Sequence, residues 1–216
     1  MYTIYMHRKE RMILKILFAT TNKSKLKIIS KLFEDNGHEV ISLKDLPEVE
    51  EPEETGSTCQ ENAIIKAKYY KTKFPEYNVL ADDSGIFIDK LDGAPGVYAA
   101  RWAGENYTTE KITNKLISEF ASKEIKESGA SYVSSMALCY DDCDGKTITI
   151  AKDGITRGTI KPMQKGELKK VCYEAFFYVN ENDTLAHLRE TNYEEYLKYS
   201  HRIKAGEMIL KYLRMI

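Results

Sequence analysis

Two adjacent acids, Asp82 and Asp83, stand in the run Ala81-Asp82-Asp83-Ser84-Gly85, directly after a short apolar segment at 78–81. A glycine-bearing run, Gly93-Ala94-Pro95-Gly96-Val97-Tyr98, follows close behind. Paired carboxylates at a strand end can hold a hard cation such as Mg²⁺ and can take a proton from water. That chemistry suits phosphate esters. Successive side chains on a strand point to opposite faces. The sequence therefore places the pair at a strand-to-turn junction, where both acids can face one cleft. Asp-Ser-Gly is also an ordinary turn composition, and the motif alone does not choose between the two readings.

Three other groups of residues offer related chemistry. Ala19-Thr20-Thr21-Asn22-Lys23-Ser24-Lys25 joins an apolar segment to what reads as a helix start. Free backbone N–H groups and the positive end of the helix dipole welcome phosphate at such a place. Thr20 and Asn22 can add side-chain donors, and Lys25 lies one turn in; the plainer reading is an N-cap with solvated lysines. Glu54 precedes another helix start and could reach a metal ion, whereas Glu61 could do no more than close a capping box with Thr58. Lys198, Ser200, His201 and Arg202 gather donors that could read a carbonyl-rich base or neutralise phosphate. They also fit a Ser N-cap beside exposed cations.

These residues need a scaffold. Residues 13–19 read as a buried strand, 23–36 as an amphipathic helix with Leu26, Ile29 and Phe33 on one face, and 38–43 as a second strand. Gly37 stops the helix. This β-α-β opening argues for an α/β fold with a partly parallel sheet. Residues 48–55 form an acidic loop, and Thr58 opens a helix through about Phe74. Residues 79–81 and 86–88 read as separate short strands, and Thr108 or Thr109 caps a helix ending near Ala121. The texture then turns β-rich: 132–140 and 147–151 pair across the hairpin signal Asp144-Gly145, and 156–160 and 171–179 continue the pattern. Ser200 caps a last helix with Ala205, Ile209 and Leu213 facing inward.

Composition bounds the partners. The chain has 216 residues, with 32 Lys+Arg against 33 Asp+Glu, so no global basic field recruits nucleic acid and anion recognition must be local. No apolar run reaches the ~18 residues of a membrane span. Cys59, Cys139, Cys143 and Cys172 form no C-x-x-C pair, which favours reduced thiols in a cytoplasmic protein. Residues 1–12 read as an extension ahead of a single domain at 13–216.

Taken in order, the motifs resemble the inosine triphosphate pyrophosphatase family. The resemblance rests on Ala19-Thr20-x-Asn22-x-x-Lys25, Glu54-Thr55-Gly56-x-Thr58-x-x-Glu61-Asn62-Ala63-x-x-Lys66-Ala67, Ala81-Asp82-Asp83-Ser84-Gly85, Gly93-Ala94-Pro95-Gly96-Val97-Tyr98-x-Ala100-Arg101 and Ser200-His201-Arg202-x-x-Ala205. It implies an elongated, two-lobed α/β fold around a mixed central sheet with flanking helices and a cleft between the lobes. It further implies a Mg²⁺-dependent homodimer that hydrolyses ITP, dITP and XTP to monophosphate and pyrophosphate. By the same resemblance Thr20, Asn22 and Lys25 hold the triphosphate, with Lys66 and Ser84 also at the nucleotide. Glu54 and Asp83 hold or serve the metal with Asp82 in support. Asp83 is the base that orients water, aided by Lys25. Lys198, His201 and Arg202, with Tyr173 and Glu174, approach the purine.

The match departs from the family at one segment. Where the family carries Gly-Phe-Gly-Tyr-Asp-Pro, this chain has Lys170-Val171-Cys172-Tyr173-Glu174-Ala175. The stacking aromatic and the glycines are gone. The expectation is a pyrophosphatase with relaxed or shifted base preference, ITP and XTP remaining the best substrates; a catalytically weak nucleotide binder is the alternative.

Overall fold

A computed structural model describes residues 13–104, 106, 108–166 and 172–216. The expected extension at 1–12 and the divergent Lys170 and Val171 lie outside the described residues. The chain opens with strand β1 (Lys15–Phe18), helix α1 (Lys23–Glu34) and strand β2 (Glu39–Ser42). β2 and β1 pair in parallel, as the β-α-β reading requires. Asn22 caps α1 by accepting from the backbone N–H groups of Ser24 and Lys25, and Gly37, at φ +86°, turns the chain after the helix. Helix α2 (Cys59–Lys73) carries the Thr58–Glu61 capping box in full.

The central strand departs from the sequence reading. Residues expected as two short strands flanking a turn form one strand, β3 (Asn78–Ile88), with Asp82 and Asp83 at its middle. β3 pairs in parallel with β1 and in antiparallel with both the two-residue β4 (Pro95–Gly96) and β5 (Ser128–Asp141). Helix α3 (Thr109–Ser122), capped by Thr108, lies between β4 and β5 in the chain. β5 pairs along its length with β6 (Thr147–Ile160), so the expected strands at 147–151 and 156–160 are also one. The expected strand at 171–179 shrinks to β7 (Phe177–Tyr178), preceded by a 3₁₀ turn at Cys172–Ala175. The sheet order is β2-β1-β3-β5-β6-β7, with β4 beside β3. Helices α4 (Leu185–Thr191) and α5 (Tyr193–Tyr199), which the sequence reading did not assign, precede α6 (His201–Leu213).

The fold is α/β, a mixed central sheet with flanking helices. Three apolar cores hold it. One lies between α1, α6 and the upper part of one sheet face, around Ile29, Phe33, Leu80, Met136 and Ile209. A second lies beneath α2 on the opposite face, around Leu17, Ala63, Ala67 and Ala137. The third packs α3, α4 and α5 against Ile86, Ile88, Tyr132 and Phe177. Among the described residues no helix is long and apolar enough to cross a membrane.

Candidate active site

The site begins as a gap in the sheet. β1 stays alongside β3 only as far as Leu80, where Ala19 N–H donates to the Leu80 carbonyl at 2.7 Å. β4 takes up the same edge at Ile86 and Phe87. Between them, residues 81–85 meet β5 on one side and, among the described residues, no strand on the other. The β1–α1 turn, the loop carrying Glu54, and the first turns of α2 and α6 converge on this stretch.

Because β3 continues through the acids, Asp82 and Asp83 point to opposite faces. The expectation that both side chains face one cleft from a turn is therefore corrected. Asp82 is buried on the face covered by α1 and α6. Its carboxylate takes Lys25 Nζ at 2.9 Å and lies 3.6 Å from Arg202 Nε. Arg202 also donates through Nη2 to Ser84 Oγ at 2.9 Å, as expected for residues two apart on one face. Burial pushes the Asp82 carboxyl up, but Lys25, Arg202 and Lys66 outweigh it and hold the group below its ordinary value. Burial in turn lowers Lys25, more than Asp82 raises it. Asp82 thus serves as counter-ion to two cations rather than facing the second acid.

Asp83 lies on the α2 face. Asn62 Nδ2 donates to its Oδ2 at 3.3 Å, and Lys66 Nζ lies 3.7 Å from its Oδ1. Lys66 also donates to Glu54 Oε1 at 2.9 Å, so one ammonium stands between two carboxylates. Burial opposes the Lys66 charge, but Asp82, Asp83 and Glu54 prevail and raise its pKa. Burial raises Asp83, and neighbouring Glu54 adds to the shift. The thiol of Cys59, pushed up to about 12 by burial and by Asp83, is a neutral neighbour of that carboxylate.

The donor set suits a hard cation. Glu54 and Asp83 offer carboxylate oxygens on either side of a position now bridged by an ammonium. Among the described residues no cluster of three or more His, Cys, Asp or Glu side chains could enclose a metal. An ion there would take one or two carboxylates from the protein and the rest from phosphate and water, which is how Mg²⁺ is commonly bound.

The other expected residues divide. Thr20 Oγ1 accepts from Asn22 N–H, and Asn22 Oδ1 accepts from Ser24 and Lys25 N–H to cap α1, so both shape the β1–α1 turn. His201 is buried at the start of α6, stacked on Tyr132 at 4.8 Å, and neither ring nitrogen has a hydrogen-bond partner among the described residues. Burial, then Arg202 and Lys25, hold its pKa well below the ordinary value. Lys198 does not join this group: it lies on α5, exposed and paired with Glu195 at 2.6 Å. Nor do Tyr173 and Glu174 open toward the gap. Tyr173 is buried in the third core and donates to the Ala99 carbonyl at 3.1 Å, while Glu174 pairs with Arg189 of α4.

One residue was quoted in the sequence motif without a role. Asn62 is fully buried on the same side of α2 as Ala63 and Ala67. The available signal was a polar residue four positions before Lys66, placing both side chains on one helix face.

Comparison with known proteins agrees with this architecture. A dITP/XTP pyrophosphatase of Halalkalibacterium halodurans is 38% identical over 198 residues, covering 91% of this chain and 97% of that protein. A HAM1 protein of Coxiella burnetii superposes with a TM-score of 0.79 at 31% identity, covering 94% of this chain and all of the other. The Ham1 protein of Staphylococcus aureus gives 0.76 at 32% identity, covering 93% and 98%. The Ham1 family model matches residues 16–212, and the chain belongs to the Ham1 family.

Proposed function

We propose that this protein hydrolyses dITP, ITP and XTP to the monophosphate and pyrophosphate, removing deaminated purines from the nucleotide pool. The observation that carries the reading is the convergence of Lys25, Lys66 and Arg202 with Glu54, Asp82 and Asp83 on the unpaired stretch of β3. The relatives named dITP/XTP pyrophosphatase support it. Three cations against three acids leave the site close to neutral. A triphosphate brings about four negative charges, which such a site accepts only with further positive charge. Mg²⁺ held by Glu54 and Asp83 would supply that charge and neutralise phosphate oxygens.

The chain's own groups do the rest. Lys25 and Lys66, beside the β1–α1 turn, bind and orient the phosphates. The Asp83 carboxylate accepts a proton from the water whose oxygen attacks the α-phosphorus. The bond from that phosphorus to the α,β-bridging oxygen breaks, and pyrophosphate leaves. Asp82 holds Lys25 and Arg202 in place as their buried counter-ion.

Base recognition rests on His201, Arg202 and Ser84. The buried, unpartnered imidazole is a polar surface awaiting a ligand. Tyr173 and Glu174 are committed to Ala99 and Arg189, which favours relaxed discrimination among 6-oxo purines. The same reading includes a homodimer, as the family resemblance implies, and the free thiols of Cys59, Cys139 and Cys143 suit a reducing cytoplasm. Sedimentation of a single monomeric species would dismiss the homodimer. The deciding experiment is product analysis with Mg²⁺ and a panel of ITP, XTP, dITP, GTP, ATP and dUTP. Pyrophosphate from ITP, dITP and XTP is expected. Equal release from every base would discard the specificity, and tight binding without release would discard the hydrolase.

A further inference from the structure

We propose that Asn62 is a positioning residue whose buried carboxamide ties the loop carrying Glu54 to the Asp83 carboxylate and so sets the spacing of the two acids. The inference rests on the metal role given above to Glu54 and Asp83.

Both ends of the amide are used. Asn62 Oδ1 accepts from Gly56 N–H at 2.7 Å, and Nδ2 donates to Asp83 Oδ2 at 3.3 Å. The orientation is forced by chemistry: a backbone N–H needs an acceptor and a carboxylate needs a donor, so a flipped amide would oppose both partners. At 0% exposure, neither end can turn to water instead.

Gly56 is the counterpart of this tie. A Cβ there would lie 2.6 Å from Asn62 Oδ1 and 2.7 Å from Glu61 Cβ. Only glycine lets the loop backbone come this close. Immediately after it, Ser57 N–H, Ser57 Oγ–H and Thr58 N–H all donate to Glu61 Oε2. The chain is therefore strapped to α2 from Gly56 onward, with Glu54 only two residues upstream.

Capping of α2 is a separate task, done by Thr58 and Glu61. Asn62 is not needed for it. With Oδ2 held by Asn62, Asp83 turns its Oδ1 toward Lys66, the ammonium that also meets Glu54. One buried side chain thereby orients one acid directly and the other through the backbone. Residues standing behind metal ligands in this manner typically change affinity or activity by about 10–100-fold when removed.

The test measures Mn²⁺ binding by electron paramagnetic resonance on nucleotide-free protein, alongside kcat and KM for ITP and thermal unfolding. Asn62→Ala is expected to weaken Mn²⁺ binding about tenfold or more and to lower kcat more than it raises KM, per folded molecule. Gly56→Ala, whose Cβ would collide with Asn62 Oδ1 and Glu61 Cβ and so breaks the tie from its loop end, is expected to weaken Mn²⁺ binding as well. Unchanged Mn²⁺ affinity in folded Asn62→Ala overturns the proposal. If that variant does not fold, unchanged affinity in Gly56→Ala does so. Wild-type protein that binds Mn²⁺ but leaves ITP intact would sink the hydrolase reading alone, since the binding contrast still reports the tie.

Discussion

Asp82 and Asp83 are neighbours in the chain and face away from each other in the sheet, and their substitutions should differ accordingly. Asp82 is the buried counter-ion of Lys25 and Arg202. Removing one member of a buried ion pair strands the others, at a typical cost of about 3–5 kcal/mol. Asp82→Asn is therefore expected to lower the urea midpoint markedly. Asp83 is raised by its burial, so Asp83→Asn should leave stability nearly unchanged or slightly higher. Its turnover should fall by roughly 10²–10⁴ as the base is lost. Equal destabilisation of the two variants would refute this division. At this scale the neighbourhood was legible in the sequence: Lys25 and Arg202 meet at Asp82, and Lys66 joins Glu54 to Asp83. The partition between faces was not, because it depends on whether the chain turns at Ser84, and Asp-Ser-Gly suits a turn as well as a strand. Lys198, Tyr173 and Glu174 were misplaced for another reason: their partners Glu195, Ala99 and Arg189 come from the local helix or from distant chain.

Among the elements, the helix starts were the most legible, because caps are local chemistry. Asn22, Thr58, Thr108 and Ser200 each accept from the backbone they precede. The long strands were illegible where they carry glycine. β3 was divided at Gly85 and β6 near Gly154, and in both places another backbone closes on the sheet. A Cβ at Gly85 would lie 2.4 Å from the Gly96 carbonyl oxygen, and one at Gly154 would lie 2.0 Å from the His201 carbonyl oxygen and 2.3 Å from Ala205 N. A glycine inside a strand marks close approach as readily as it marks a turn. Gly154→Ala tests this function of the residue. The methyl group must displace the first turn of α6, at about 1–3 kcal/mol for overpacking. Since His201 and Arg202 ride on that turn, KM for the nucleotide should rise more than kcat falls. Steady-state kinetics with unaltered KM would show that α6 is seated independently of Gly154.

At the scale of the molecule, mild acid acts, among the described residues, chiefly through two histidines. His201 is held low by burial and then by nearby cations, and His38 by burial and Arg214. His38 also accepts from Leu14 N–H through Nδ1 at 3.3 Å, which requires the neutral ring. Both groups bind a proton less readily folded than unfolded. Their contribution to stability is complete above the unfolded value of about 6.5 and declines as pH falls below it, ceasing to change below the folded values. For buried His201 the limiting slope is about 1.4 kcal/mol per pH unit, and half-buried His38 adds less because solvent screens its charge. Asp82, held low, adds its own loss only below about pH 4. Urea midpoints between pH 8 and 5 should thus fall with acid, and His38→Gln should flatten part of the slope; a level profile would contradict the account. The α/β class was legible at this scale from the opening β-α-β alone, whereas the extent of the sheet required the pairings. Those pairings carry a mechanical consequence. β3, β5 and β6 run unbroken for 11, 14 and 14 residues past the gap beside β3. The core under α1 and α6 is joined to the core under α3, α4 and α5 by these ribbons, which have no slack joint at the gap. A ligand held between the two ends would therefore meet ribbons that yield only by a slight added twist, as a torsion bar does. Amide exchange should then stay slow along 132–138 and at the amides of β3 that donate to β5 in every ligand state, with the ligand's signature confined to the gap-facing amides, the 48–57 loop and the first turn of α6.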